Sequence, residues 1–451
     1  MIGGLLKSTS TLAILAAAGL LVGGVTLAPK AARAADLGGD CCADLEERVA
    51  ELEATTVKKG NRKVSLTISG RVAASITYFS DNSSAPTANG VGAASSGANT
   101  TDAKSDIYFG GQTGNDPALF FDGTGKISSD LVAGYHMELD YNFQGSDSQN
   151  TRQSGTAWGT GTDTYVYLNS KSLGKLQLGQ MNSALDDWDN VGFAGGYIDG
   201  TLNIRSIGAY YLRDSKGFAS GFTYGGMISG LDSSGDTGIK YISPTLGNWL
   251  TVEVGASGGD AYYAGAKLAG NITKTIAVKA AVAYQSATDA DGTFGVGKQA
   301  KINQNGTADL LNVAGGIEDS TSGLFLQGTY GVAYANGNAL NTTIGGTNAT
   351  HLQDITTWTA FLGWHKNVTG LGNTEVFGQY EKSDNVAADN SSEHVWQVGI
   401  DQAIDSASSH LFLTFENYNV DSLPVGATSK GGNPIGTQDL STVTGGMSIT
   451  F

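Results

Sequence analysis

The chain has 451 residues, 65 of them glycine and only six proline, with 40% apolar residues and a formal charge of −16. That acidity excludes nucleic acid as a partner, because binding to phosphate rests on neutralisation by Lys and Arg. Two cysteines, adjacent at Cys41 and Cys42, exclude a disulfide framework.

Residues 1–34 read as a signal peptide. Lys7 supplies a basic start, Thr11–Ala28 an apolar stretch, and Ala32-Arg33-Ala34 a small-x-small cleavage site. The other readings are a retained anchor and a lipoprotein, and Asp40 before Cys41 suits a lipobox poorly. No later apolar run reaches the roughly 18 residues of a membrane helix. A chain without one crosses a bilayer only as a closed barrel.

Residues 35–63 are expected to form a short periplasmic helix and a linker. Asp40 is placed to cap it, and Cys42, Leu45, Val49, Leu52 and Thr56 follow an a/d spacing. Two heptads are marginal alone; a coiled coil of several copies and a single helix on the barrel rim both fit. The two cysteines are then either free thiols or an intersubunit bridge. Lys58–Lys63 is a basic linker.

From Val64 the period becomes two, which is the period of strands. Ile68, Val72, Ala74, Ile76 and Tyr78 share one face, and Thr67, Ser69, Arg71, Ser75 and Thr77 the other. In Leu131–Phe143, His136, Glu138, Asp140 and Asn142 oppose an apolar face. Val252 and Val254 alternate with Glu253, and Val278 to Tyr284 with Lys279 and Gln285. Trp358, Ala360, Leu362 and Trp364 alternate with Thr359 and His365. Tyr78, Tyr141, Tyr284, Trp358, Trp364, Tyr380 and Phe451 stand near strand ends on the apolar face, as in interfacial girdles.

Short connections (Ser172–Gly174, Pro244–Gly247, Gly270–Asn271, Ser406–Ser409) alternate with long ones (Ser80–Lys104, Gly145–Thr162, Ser286–Ala308, Ala335–Asp354, Asp421–Leu440). Short turns on one side and long loops on the other are the habit of outer-membrane barrels. The expectation is an all-β fold, a transmembrane antiparallel β-barrel over residues 64–451. It has 16 strands if Gln180–Asp236 is one loop, and 18 if Asn203–Arg213 and Phe218–Gly225 add a hairpin. Arg205 and Arg213 share a face with Ile207, which favours 16. The chain ends S-T-V-T-G-G-M-S-I-T-F, with Val443, Met447, Ile449 and Phe451 on one face, like the closing strand of such a barrel.

These residues resemble the general porins of alphaproteobacteria, of the rhizobial kind. The resemblance rests on Asp36–Thr56, Lys59–Gly70, Phe120–Tyr135, Ser170–Gln180, Tyr241–Leu246 and the terminal strand. It implies a multi-pass protein of the bacterial outer membrane, a homotrimer among membrane lipids, and passive diffusion of small hydrophilic solutes and ions. It also implies a third outer loop folded into the barrel. That loop would follow Gln180 and carry Asp186, Asp187, Asp189 and Asp199, then Arg205 and Arg213. Carboxylates on it, facing Arg71 on the wall, would set a transverse field; Lys240, Lys267 and Lys279 are weaker wall candidates.

No catalytic, cofactor or metal site is expected. Gly255–Gly259 fits G-x-S-x-G, but no helix follows. Gly292–Lys298 nearly fits a P-loop, but Gln299 stands where Ser or Thr is needed. Asp289–Gly292 lacks the other ligands of a calcium loop, and none of the five histidines has HExxH spacing. Two other functions stay open: an adhesive or structural barrel, whose loops would do the work, and a barrel enzyme, which would need a Ser–His pair at the rim.

Overall fold

The structure, a computed structural model, describes residues 63–81, 105–110, 117–142, 157–158, 163–185, 191–194, 211–213, 219–227, 231, 236–258, 261–287, 294–296, 300–303, 308–334, 340–344, 347–351, 353–387, 389–423, 427 and 434–451. The signal peptide, the helix expected from Asp40 and Cys41/Cys42 lie outside these residues.

Sixteen antiparallel strands close into a ring. They are β1 (Thr67–Asp81), β2 (in two pieces, Ser105–Gly110 and Ala118–Lys126), β3 (Leu131–Asn142), β4 (Thr164–Ser170), β5 (Gly174–Met181), β6 (Asp236–Ile242), β7 (Leu250–Ser257) and β8 (Ala261–Asn271). The ring continues with β9 (Ile276–Ala287), β10 (Ala308–Asp319), β11 (Leu324–Tyr334), β12 (Ile355–Lys366), β13 (Thr374–Asp384), β14 (Ser392–Ile404), β15 (Ser409–Ser422) and β16 (Asp439–Thr450). The main sheet holds 18 hydrogen-bonded segments. The two pieces of β2 pair with successive stretches of β1 and count as one strand, and Ala157–Trp158 only extends the tip of β3, which leaves 16. Of the hairpin that would have made 18, Tyr211–Arg213 pairs with Ala219–Thr223 as a separate two-stranded sheet outside the ring.

Closure comes from β1 against β16, in register from Arg71↔Thr450 to Asp81↔Leu440. Beyond β16, Phe451 exchanges both backbone hydrogen bonds with Gly70, at 2.9 and 3.0 Å. Among the described residues the ring itself has no edge strand.

The faces are inverted relative to a soluble protein. Ile68, Val72, Ile76, Val166, Leu168, Leu178, Val254, Leu326, Leu362, Val398 and Ile449 stand exposed on the outside. Ser75, Thr77, Glu138, Gln177, Glu253, Gln285, Gln379, Glu381, Gln397 and Glu416 are buried on the inside. An apolar belt with a polar interior is stable only where hydrocarbon is the outer solvent. Tyr284, Trp358 and Phe451 are exposed on the outer face, as the girdle reading expects.

Short turns gather at one end: 127–130, 171–173, 243–249, 272–275, 320–323, 367–373 and 405–408. At the 320–323 turn, Gly323 has φ +79, and a Cβ there would meet the His365 carbonyl oxygen; only glycine serves. The 127–130 and 171–173 turns are tied together by Asp130, which accepts from the Ser170 hydroxyl (2.6 Å), the Ser172 hydroxyl (3.0 Å) and the Ser172 amide (3.2 Å). The Ser170 bond leads in holding the Asp130 carboxyl below its ordinary range. The other end carries the long connections, with two exceptions: residues 258–260 and 385–391 are short there too.

Candidate pore lumen

The described residues between β5 and β6 are held by inward-facing wall side chains. At its start Asn182 is gripped from both sides. Its amide donates to Asp163 Oδ1 (3.0 Å), and its carbonyl accepts from Lys240 Nζ on β6 (2.6 Å). Ala184 and Leu185 are buried, Ala184 against Gly265 of β8. Further on, the Gly192 carbonyl accepts from Lys279 Nζ of β9 (2.6 Å), and the Phe193 amide donates to Gln327 Oε1 of β11 (2.6 Å). The Lys279 ammonium also stands 4.6 Å from the Phe193 ring centroid. At the far end the Leu231 carbonyl accepts from Asn312 Nδ2 of β10 (2.8 Å). Tyr224 packs against Tyr418 of β15, with ring centroids 6.3 Å apart.

This arrangement solves a backbone problem. Irregular chain at membrane depth must have its N–H and C=O groups satisfied by protein or water. Inward-facing Asp163, Lys240, Lys279, Gln327 and Asn312 supply the partners. Lys279 lies three residues from the short-turn end of β9, Gln327 three from that of β11, and Asn312 four from the long-loop end of β10. The described anchor points of the segment therefore lie in the middle of the barrel's depth, Lys279 and Asn312 being four register positions apart.

An apolar ladder receives its deep end. Phe325, Phe361, Phe377 and Phe412 face inward from β11, β12, β13 and β15, packed with Phe193 and Ala194. Phe361 stacks on Phe325 (5.5 Å) and on Phe377 (5.3 Å). Phe325 and Phe377 lie across Gly363 and Gly399 of the next strand, where a Cβ would collide with the ring; the aromatic covers the bare backbone.

The wall from β1 to β5 is different. Phe120, His136 and Tyr165 stack in series at 5.9 and 5.4 Å. Arg71 stands 3.7 Å from Glu138 and 5.5 Å from the Phe120 ring centroid. Lys175 lies over Tyr167 at 4.5 Å. His136 Nδ1 is 2.8 Å from Asp122 Oδ1.

Of the residues singled out in the sequence, Arg71 is on the inner wall as expected. Arg213 ends the short strand Tyr211–Arg213 within the inserted segment. Asp186, Asp187, Asp189, Asp199 and Arg205 lie outside the described residues. Lys240 and Lys279, ranked below Arg71, do more than expected, because they hold the inserted backbone. The phenylalanine ladder was missed. Its signal in the sequence is an inner-face aromatic registered against a glycine. The His136–Glu138–Asp163 proximity was missed as well, since no spacing within one strand reveals it.

The family model described as Gram-negative porin matches residues 16–422. No curated protein sequence is significantly similar to the chain. Among solved structures, the chain is similar to the outer membrane channel DcaP of Acinetobacter baumannii, at 12% identity and a TM-score of 0.50, covering 87% of this chain and 99% of that one. An anion-selective porin from Comamonas acidovorans aligns at 16% identity and a TM-score of 0.49, over 86% of this chain and 100% of that one. OmpF of Salmonella typhi, in a complex with daunomycin, aligns at 12% identity and 0.49, over 87% and 99%.

Proposed function

We propose, from the premise that the chain belongs to the Gram-negative porin family, that the segment between β5 and β6 narrows an open pore. As an outer-membrane porin the protein offers small hydrophilic solutes and ions a passive path through its polar interior. The observation that carries the narrowing is the set of inward bonds from Lys240, Lys279, Gln327 and Asn312 to the backbone of residues 182–231. Solute then passes between that segment and the β1–β5 wall, where Arg71 and Lys175 are basic groups. Asp186, Asp187 and Asp189 fall in sequence between Leu185 and Val191, both buried, and with Asp199 they supply the opposing carboxylates. Arg205 and Arg213 moderate that charge. The wall that faces solute carries Asp122, Glu138 and Asp163 against Arg71 and Lys175, so cations are favoured.

The working unit is a homotrimer, and the protein performs no chemistry. The affinity with alphaproteobacterial porins suggested by Asp36–Thr56 and Lys59–Gly70 belongs to the same reading. Single-channel current of the purified protein in a planar bilayer, with a salt gradient across it, tests these points. Ohmic steps arriving in threes, with a reversal potential of cationic sign, are expected. Removal of residues 186–199 should enlarge each step. An unchanged step size rejects the narrowing, an anionic sign rejects the charge argument, and silence from a folded barrel favours the adhesive reading.

A further inference from the structure

The β3–β4 wall holds a cluster that pore transport alone does not require. One ligand atom from each of His136, Glu138 and Asp163 lies within 4.8 Å of the other two. An ion with bonds of about 2.0–2.2 Å spaces its ligands roughly 3–4 Å apart, so modest side-chain rotation closes the set. The histidine is prepared for this role. Asp122 Oδ1 lies 2.8 Å from His136 Nδ1. A carboxylate accepts and does not donate, so Nδ1 carries the proton and the Nε2 lone pair is left for a metal. The ring plane is fixed between Phe120 and Tyr165.

We infer that His136, Glu138 and Asp163, with Asp122 orienting the histidine, bind a borderline divalent transition ion of the zinc class on the inner wall. One imidazole and two carboxylates suit such an ion, whereas magnesium and calcium prefer oxygen alone. Arg71, whose Nη2 stands 3.7 Å from Glu138 Oε1, competes with the ion for that carboxylate. An ion bound by Glu138 and Asp163 cancels the negative charge of both carboxylates on this wall, and so opposes cation flow. It also takes hold of the group that anchors Asn182, at the root of the inserted segment.

Zinc chloride titrated into the detergent-folded barrel by calorimetry decides the matter, with magnesium chloride as the comparison. One zinc per chain and no magnesium heat are expected. His136→Gln should abolish the binding and Asp122→Asn should weaken it about 10–100-fold. His394→Gln, whose histidine pairs with Asp421 far from the cluster, should leave it intact. Heat-modifiable migration confirms that each variant is folded. Absence of zinc binding to the folded parent protein overturns the site, as does equal binding by the His136→Gln variant. A barrel that binds zinc but carries no current would keep the site and lose the channel; a conducting barrel without zinc heat would do the reverse.

Discussion

The lumen has two walls built by the same alternation and put to opposite uses. On β1–β5 the inward side chains are mixed: Ser75, Thr77, Glu138 and Gln177 are buried, whereas Arg71 keeps 28% of its side-chain surface and Asp122 47%. On β11–β15 the inward side chains are closed off: Phe361 and Glu381 keep 0% and Phe377 4%. One wall faces solute and the other grips protein. The lesson is that a polar inner face is not by itself a pore lining. Part of it serves as the socket for an inserted chain, and the socket is recognised by aromatic rings and by polar groups aimed at backbone.

The sharpest way to break this contrast is at the socket. Phe361→Ala removes the central ring of the ladder, and a buried Phe→Ala change costs about 3–5 kcal/mol. The variant should lose heat-modifiable migration at a clearly lower temperature, and its unitary current should become noisier as Phe193 loses its seat. If only stability falls and the current is unchanged, the ladder supports the barrel and not the inserted segment.

Next comes the latch. Lys279→Met removes a charged hydrogen bond to the Gly192 carbonyl, worth about 1.5–3 kcal/mol. Larger or more frequent conductance steps are expected, with a smaller loss of thermal stability than for Phe361→Ala.

On the open wall Arg71→Gln tests charge without packing. A unit charge about 4 Å from a passing ion in a water-like medium is worth about 1 kcal/mol, a few-fold in permeability ratio. The reversal potential should move further toward cations, and thermal stability should hold.

The smallest effect belongs to neither wall. The Asp130 carboxyl is held below its ordinary range chiefly by Ser170, so it stabilises the folded state above its unfolded value and stops doing so as pH falls through the folded one. Asp130→Asn should therefore lower the unfolding temperature slightly at neutral pH, and the gap from the parent protein should close in acid.

Much of this was legible because period two is written directly into strands. Ile68 to Ile76 and Trp358 to Trp364 reveal their outer face by residue type alone. The socket was not, for a physical reason. An inward lysine reads the same whether its ammonium meets water or a carbonyl, so Lys240 and Lys279 stood only as weaker wall candidates. Phe325, Phe361 and Phe377 stand on inner positions and look like lapses in the alternation until Gly363 and Gly399 are registered beside them. His136 and Asp163 meet only across strands β3 and β4, and a single sequence carries no register. The long excursion after Met181 was rightly left out of the ring, while its small hairpin, Tyr211–Arg213 with Ala219–Thr223, shows where strand-like sequence was spent without joining the wall.

The seam between β1 and β16 has a consequence for how the molecule comes into being. Thr77 and Thr444 share a hydroxyl contact of 3.0 Å across 367 residues of chain. Relative to a ten-residue hairpin, bringing such distant ends together costs roughly 3 kcal/mol more in chain entropy, and distant pairings form slowly. Fifteen of the sixteen strand pairings join neighbours along the chain, and they can zip in sequence. This one waits for the last strand to arrive. Until then the growing sheet has two raw edges, so the period before closure is when the protein is most exposed to aggregation and most in need of escort.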